Sequence, residues 1–213
     1  MVKFLITPSL YGSYLWYTDT DFSLYGDNAK QYEQDAYNGW LDTLNKVKTP
    51  TTEAQQKGID FENVVQALTN SGNIDNLLSE DELSAAKETA DILGKGGIWQ
   101  QTLMKETDNY LLYGRADYIR QDTIYDVKRT GSYEAGKYIK SIQHQIYFEG
   151  AENIEHFKYV VAAGKTNPSV YVEYFHKEPN NLDILLGKID NMVGFIKSVP
   201  EFYTPFIANW IAR

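Results

Sequence analysis

The sequence contains no cysteine. Disulfides, thiolate zinc sites and cysteine-ligated iron–sulfur clusters are therefore excluded. Long apolar runs are missing too. No window approaches the roughly 20 apolar residues of a membrane span, and the opening MVKFLITPSLYGSY is too short in its apolar part for a signal peptide. The expectation is a cytoplasmic chain with no membrane partner. Basic residues are scarce, with 20 Lys and Arg against 29 Asp and Glu and a net charge of −9. That argues against a protein that coats nucleic acid non-specifically. The three histidines, His144, His156 and His176, are scattered without metal-ligand spacing and read as structural. Repeats, low-complexity segments and linkers are absent as well. What remains is 213 residues, 43% of them hydrophobic, which suits one domain over residues 1–213 with a sizeable core.

The element pattern begins with helices. Thr7 with Pro8 opens a short helix over 7–17. Spaced aromatics (Tyr32, Tyr37, Trp40) with Leu41 and Leu44 give a second over 27–47, ended before Pro50. A third runs from about Thr52 to Thr69 on the stripe Ala54, Gly58, Phe61, Val65 and Leu68. Glu62 sits at the edge of that stripe, able to face a cleft or solvent. Ser79-Glu80-Asp81-Glu82 reads as a capping box for a fourth helix, stopped by Gly94, Gly96 and Gly97. Strands follow at 98–107, 110–120 and 123–129. A helix is expected from about Tyr133 to Ala151, with Ile139, Ile142 and Ile146 toward the core. Two more strands (157–163 and 169–176) and a long helix (180–199) complete the pattern, and Pro200 and Pro205 bracket an aromatic tail. The order predicts an α/β domain: mainly helical over 1–97, a sheet over 98–176, helical again over 177–213.

The stretch YGRADYIRQDTIYDVKRT, residues 113–130, organises the rest. Gln121 and Asp122 join two strands into a hairpin. Side chains alternate along a strand, so Ile124, Asp126 and Lys128 share one face and Tyr125, Val127 and Arg129 the other. A carboxylate and an ammonium on a buried strand are costly unless something uses them. Asp117 comes near Asp126 if the hairpin closes, and two converging carboxylates suit Mg²⁺ or Mn²⁺.

These positions resemble the D-x(n)-[DE]-x-K signature of the PD-(D/E)XK nuclease superfamily: Asp117, then Asp126-Val127-Lys128 nine residues on. Gln143-His144-Gln145-Ile146-Tyr147 resembles the Q-x-x-x-Y element of its RecB-like and phage-type exonuclease branch. Lys57-Gly58-Ile59-Asp60-Phe61-Glu62 resembles that branch's first helical motif, a Gly followed four residues later by an acid or a His. Chance supplies roughly one [DE]-x-K triplet in a chain this long, so the order of the flanking pieces carries the resemblance.

The resemblance implies a restriction-endonuclease-like α/β core, a central mixed sheet flanked by helices. It implies Mg²⁺, replaceable by Mn²⁺, on Glu62, Asp117, Asp126 and the Val127 carbonyl. Lys128 would orient the attacking water, Gln143 would place Lys128 or a phosphate, and Tyr147 would brace the helix or the substrate. Many members of the branch carry His where this chain has Glu62. Arg115, Arg129 and Lys137 are candidate phosphate contacts. Arg115 ranks first because it shares strand parity with Asp117; Lys137 and Lys140 read equally well as a solvated helix face. The implied partner is DNA, cut by an exonuclease at its ends in recombination or repair, alongside a single-strand annealing partner, in the host cytoplasm if the chain is phage-encoded. The oligomeric state stays open. So do three other readings: an endonuclease of the same fold, an inactive nuclease-like binding module, and an unrelated α/β domain. Ala163-Gly164-Lys165-Thr166 resembles a phosphate-binding loop, but its first glycine would fall at Tyr159 and Pro168 opposes a following helix, so it reads as a turn.

Overall fold

A computed structural model describes residues 2–72 and 78–212. In chain order the elements are β1 (Phe4–Ile6), α1 (Pro8–Thr18), α2 (Ala29–Leu44), α3 (Glu53–Thr69), α4 (Glu80–Leu93), β2 (Ile98–Glu106), β3 (Tyr110–Arg120), β4 (Thr123–Thr130), α5 (Gln143–Gly150), β5 (His156–Ala163), β6 (Ser169–His176), α6 (Asn181–Ser198) and α7 (Pro200–Asn209). The strands form one six-stranded mixed sheet. β4 and β5 run parallel, and β6 closes one side antiparallel to β5.

The helices cover both faces of this sheet. One core joins α1, α2, α5, α6 and α7 to it through Leu10, Trp40, Ile146, Ile189 and Phe206. The other packs α3 and α4 through Phe61, Val65, Ala86 and Leu93 onto Tyr118, Tyr125, Val127 and Val160. β5 feeds both: Phe157, Tyr159 and Val161 go to the first core, Val160 and Ala162 to the second. A strand buried on both faces reads as a continuous apolar run, which is why FKYVVAA hardly alternates.

β3 has three partners. β2 pairs along it from residue 111 to residue 119 and so fills one edge. β1, at 110–112, and β4, at 118–120, must share the other. Residues 113–117 have no ladder pairing on that edge. This opening in the sheet positions the site.

Local signals explain the helix starts. The Thr7 side chain accepts from the Leu10 N–H with Pro8 at the first turn. Thr52 and Gln55 make a reciprocal capping box, a cap the sequence reading did not pick out. At Ser79 only half of the expected box forms: its hydroxyl accepts from the Glu82 N–H, while the Glu82 side chain turns to Arg129 and Lys57.

Three expectations are corrected. The helix over 133–151 forms only as α5, from Gln143. Before it, residues 134–141 make successive tight turns. Gly136 sits at φ +84°, and Glu173 of β6 accepts from the Tyr133 hydroxyl and the Gly136 N–H, which holds the segment out of a helix. Ile139 is consequently exposed, at 64%, rather than in the core. The aromatic tail is a helix, α7, with Pro200 in its first turn. It buries Phe202 and Phe206, and Phe4 of β1 stacks on Phe206 at 4.7 Å. β1 itself, three residues long, is too short to show a strand pattern. Among the described residues no helix is long and apolar enough to cross a membrane.

His144 of α5 is buried against Phe175, ring to ring at 4.2 Å, with no hydrogen bond at Nδ1. Burial, and then the charge of Lys188, depress its pKa to about 4. The unfolded chain therefore takes up this proton first. Stability is full above pH ~6.5 and is lost as pH falls toward 4. Between pH 7 and pH 5 the loss from this group should be roughly 2 kcal/mol, at about 1.36 kcal/mol per pH unit. Urea titrations at the two pH values should show that the loss is absent in His144→Phe. An unchanged acid limb would contradict the assignment.

Candidate active site

β4 stays apolar from Ile124 until Asp126, which is 1% exposed. The last ladder pair between β3 and β4 before the site is Tyr118 with Tyr125. Asp117 and Asp126 are next in register, and there the ladder stops. Asp117 Oδ2 instead accepts the Val127 N–H at 2.8 Å. Asp126 Oδ1 accepts from Gln143 Nε2 at 2.5 Å. The same amide reaches the Tyr147 hydroxyl, one helical turn on, at 3.2 Å. Tyr147 donates in turn to the Arg115 carbonyl at 2.7 Å, satisfying β3 where it lacks a neighbour. Lys128 Nζ lies 2.6 Å from Asp126 Oδ2, a charge-assisted contact.

Glu62 approaches from α3 and accepts from Gln100 Nε2 of β2. Gln100 holds φ +58° inside a strand, at the one position where pairing with β3 is interrupted, opposite Asp117. Such backbone costs about 1–3 kcal/mol and persists where the surroundings enforce it. A cleft of about 650 Å³ opens beside these groups, lined by Thr51, Gly58, Glu62, Val127 and Lys128. Nothing lies within 4 Å of where a Gly58 Cβ would stand, so the missing side chain keeps that wall open.

The charges are coupled. Burial, then Asp126, push the Asp117 carboxyl well above the usual carboxylate range, with Glu62 adding to the rise; Lys128 and the Val127 amide only partly oppose it. Burial and Asp126 also raise Glu62, against Lys128 and Arg115. For Lys128, burial favours the neutral amine, but Asp126 and Asp117 outweigh it and hold the ammonium above its ordinary range.

In kind, these donors fit a hard divalent cation. They are oxygens, and they repel one another. In placement they are not gathered. Among the described residues no three His, Cys, Asp or Glu side chains stand close enough to hold an ion. Asp117 is turned to a backbone amide, Asp126 to Gln143 and Lys128, and Glu62 to Gln100.

Arg115 is exposed at the site's edge, close enough to act on Glu62. Its neighbours Leu112 and Ala116 belong to the first core and Tyr118 to the second. The strand thus changes face at Asp117, and simple parity with Arg115 does not hold. Arg129 does not face the cleft as a free cation. Its side chain is 3% exposed and forks onto Glu82 at 2.8 and 2.6 Å, with carbonyls of Thr130, Ala162 and Gly164 as further acceptors. It ties β4 to α4 and to the Gly164 turn. Lys137 lies in the turns before α5 rather than on a helix, beside a separate hollow of about 810 Å³. Lys140 pairs with Asp19 at 2.5 Å.

Two contributors carry no motif. A Cβ on Gly114 would stand 2.1 Å from Tyr147 Cε1, so glycine there lets the tyrosine ring lie on β3. A glycine inside a strand pattern is the signal for such close approach. Gln100 has no comparable sequence signal.

No sequence-family profile matches the chain, and no curated protein matches it by sequence. Solved structures do match in shape. A protein from Eubacterium rectale covers 96% of this chain and 82% of its own at 16% identity, with a TM-score of 0.48. The alkaline exonuclease LHK-Exo from Laribacter hongkongensis gives 95%, 93%, 8% and 0.48. LHK-Exo in complex with dAMP gives 95%, 92%, 10% and 0.51. By this last comparison the chain shares the fold of LHK-Exo, a mixed sheet between helical layers, over nearly its whole described length.

Proposed function

We propose that the chain is a metal-dependent deoxyribonuclease, with removal of nucleotides from DNA ends in recombination or repair as the first reading. The observation that carries it is the ion pair between buried Asp126 and half-exposed Lys128, with Asp117 alongside, opening onto a cleft. The likeness to LHK-Exo, solved with dAMP, supports the nucleic-acid ligand. Asp117, Asp126, Glu62 and the Val127 carbonyl would hold Mg²⁺ or Mn²⁺. When bound, the ion polarises a phosphoryl oxygen and activates water.

The chain's own groups do the rest. Lys128 stays protonated at neutral pH, so it donates to phosphate or water and offsets the charge building on phosphorus; it is not the base. Gln143 fixes the Asp126 carboxylate. Tyr147 holds Gln143 in place and braces α5 on β3. Arg115 is placed to take a flanking phosphate. A single-strand annealing protein is the partner this activity would serve.

The test uses end-labelled linear duplex, single-stranded and circular DNA with Mg²⁺. Mononucleotide release from linear DNA, circular DNA resisting, supports the reading. Cleavage of circles moves the assignment to an endonuclease. Full activity in both Asp126→Ala and Lys128→Ala would remove the assigned site. The ungathered acids favour one other reading, a nuclease-like binding module without catalysis. Calorimetry with Mn²⁺ separates the two, because absence of metal binding supports the module.

A further inference from the structure

Far from the cleft, the start of β5 and the end of β6 carry a cluster that the site does not use. His156 and His176 are direct cross-strand partners. Twenty residues separate them in the chain, so the scattered histidines of the sequence reading become, for these two, a facing pair. Their Nδ1 atoms are 3.1 Å apart. The hydroxyl of Tyr174, two residues before His176 on the same strand face, lies 2.7 Å from His156 Nδ1 and 3.4 Å from His176 Nδ1. Three donor atoms therefore form one small triangle. A point equidistant from them in their plane is about 1.8 Å from each, inside the roughly 2.0–2.2 Å of zinc bonds to nitrogen and oxygen. An ion standing about 1 Å above that plane reaches all three.

The surroundings suit such an ion. Asp122 Oδ2, in the turn between β3 and β4, lies 3.7 Å from His156 Nε2. Its negative charge beside the ring favours a cation held at the triangle. The cluster is partly open to solvent, with 29% of the His156 side chain exposed, so an ion can enter and keep water in a fourth position. His156 pairs with Thr123 of β4, three to five residues from Asp126 and Lys128, or roughly 10–17 Å along the strand. The two places are distinct.

We propose that His156 Nδ1, His176 Nδ1 and Tyr174 Oη form a second cation site, for a borderline transition metal of the Zn²⁺ class. Imidazole ligands select Zn²⁺, Cu²⁺ or Ni²⁺ over Mg²⁺. Such an ion clips the edge strand β6 to β5 at the end remote from the cleft.

The probe is Zn²⁺ itself, followed by calorimetry and by the imidazole ¹H–¹⁵N spectrum, with excess Mg²⁺ present to occupy oxygen sites. One Zn²⁺ per chain is expected, with shifts confined to the resonances of His156 and His176. His176→Ala should weaken that event at least ~10-fold and Tyr174→Phe less, since two nitrogens then remain. Asp117→Asn, at the other place, should leave it intact. Circular dichroism melts confirm that each variant folds; should His176→Ala fail to fold, His156→Gln gives the same readout. No saturable Zn²⁺ binding, or binding that survives both histidine variants, overturns the proposal. Loss of Zn²⁺ binding in Asp117→Asn overturns it too, by placing the ion in the cleft.

Discussion

Asp117→Asn is expected to lower metal-dependent DNA cleavage about a thousandfold or more, while raising the melting temperature of the metal-free protein. The first effect follows from its place: it is one of two carboxylates brought side by side where the β3–β4 ladder ends, and removal of one well-placed electrostatic group costs about 10²–10³ in rate, with loss of ion affinity on top. The second has the opposite sign for a stated reason. Burial and Asp126 raise this carboxyl above its unfolded value, so the stability carried by its protonated form is full below the unfolded pKa. That contribution is lost as pH rises through the folded one. Asparagine still accepts the Val127 N–H and has no charge to lose. For a chain of this size each kcal/mol is worth about 2–4 °C. Melting curves with EDTA at pH 5 and pH 8 should show wild type falling behind the variant at the higher pH. Saturating Mg²⁺ should close the gap in wild type alone. A variant that melts lower than wild type at both pH values would contradict the account.

Gly114→Val is expected to destroy activity while leaving every charged group in place. A Cβ would stand 2.1 Å from the Tyr147 ring, and buried side chains do not yield at that distance. Tyr147 must leave β3. It takes with it the bond to the Arg115 carbonyl and the support of Gln143 on Asp126. Overpacking of this kind costs about 1–3 kcal/mol, occasionally more. The discriminating measurement is Gly114→Val with Tyr147→Phe and the double variant Gly114→Ala/Tyr147→Ala. Tyr147→Phe should keep the ring and lose mainly the hydroxyl bonds. The double variant should recover stability relative to Gly114→Ala alone, because the clash is gone. If Gly114→Val retained wild-type activity, Tyr147 would have no part in holding the site.

The hairpin and the order of the surrounding pieces could be read in the sequence because their signals are local: a two-residue turn, alternation along β4, helical steps along α3. Non-local partners account for what was hidden. Residues 133–141 look helical until Glu173 of β6 takes the Gly136 N–H. Arg129 looks like a free cation until Glu82, 47 residues earlier, is folded against it. His156 and His176 meet only through the β5–β6 register. Parity along β3 failed at Asp117, where the strand changes the core it faces, and no composition rule announces such a change.

The shared edge of β3 governs how freely the two neighbouring acids can shift. A carboxylate fixed to a complete ladder could move only with its strand. Asp117 and Asp126 sit one step past the last rung, and a single side-chain bond to the Val127 amide spans the seam between them. Drawing the pair together around an incoming ion therefore exchanges side-chain bonds, this one and those of Asp126 to Gln143 and Lys128, and disturbs no rung. Between β3 and β4 the backbone pairing stops where the spacing of two like charges has to be adjustable, while β5 still holds the β4 backbone at Asp126.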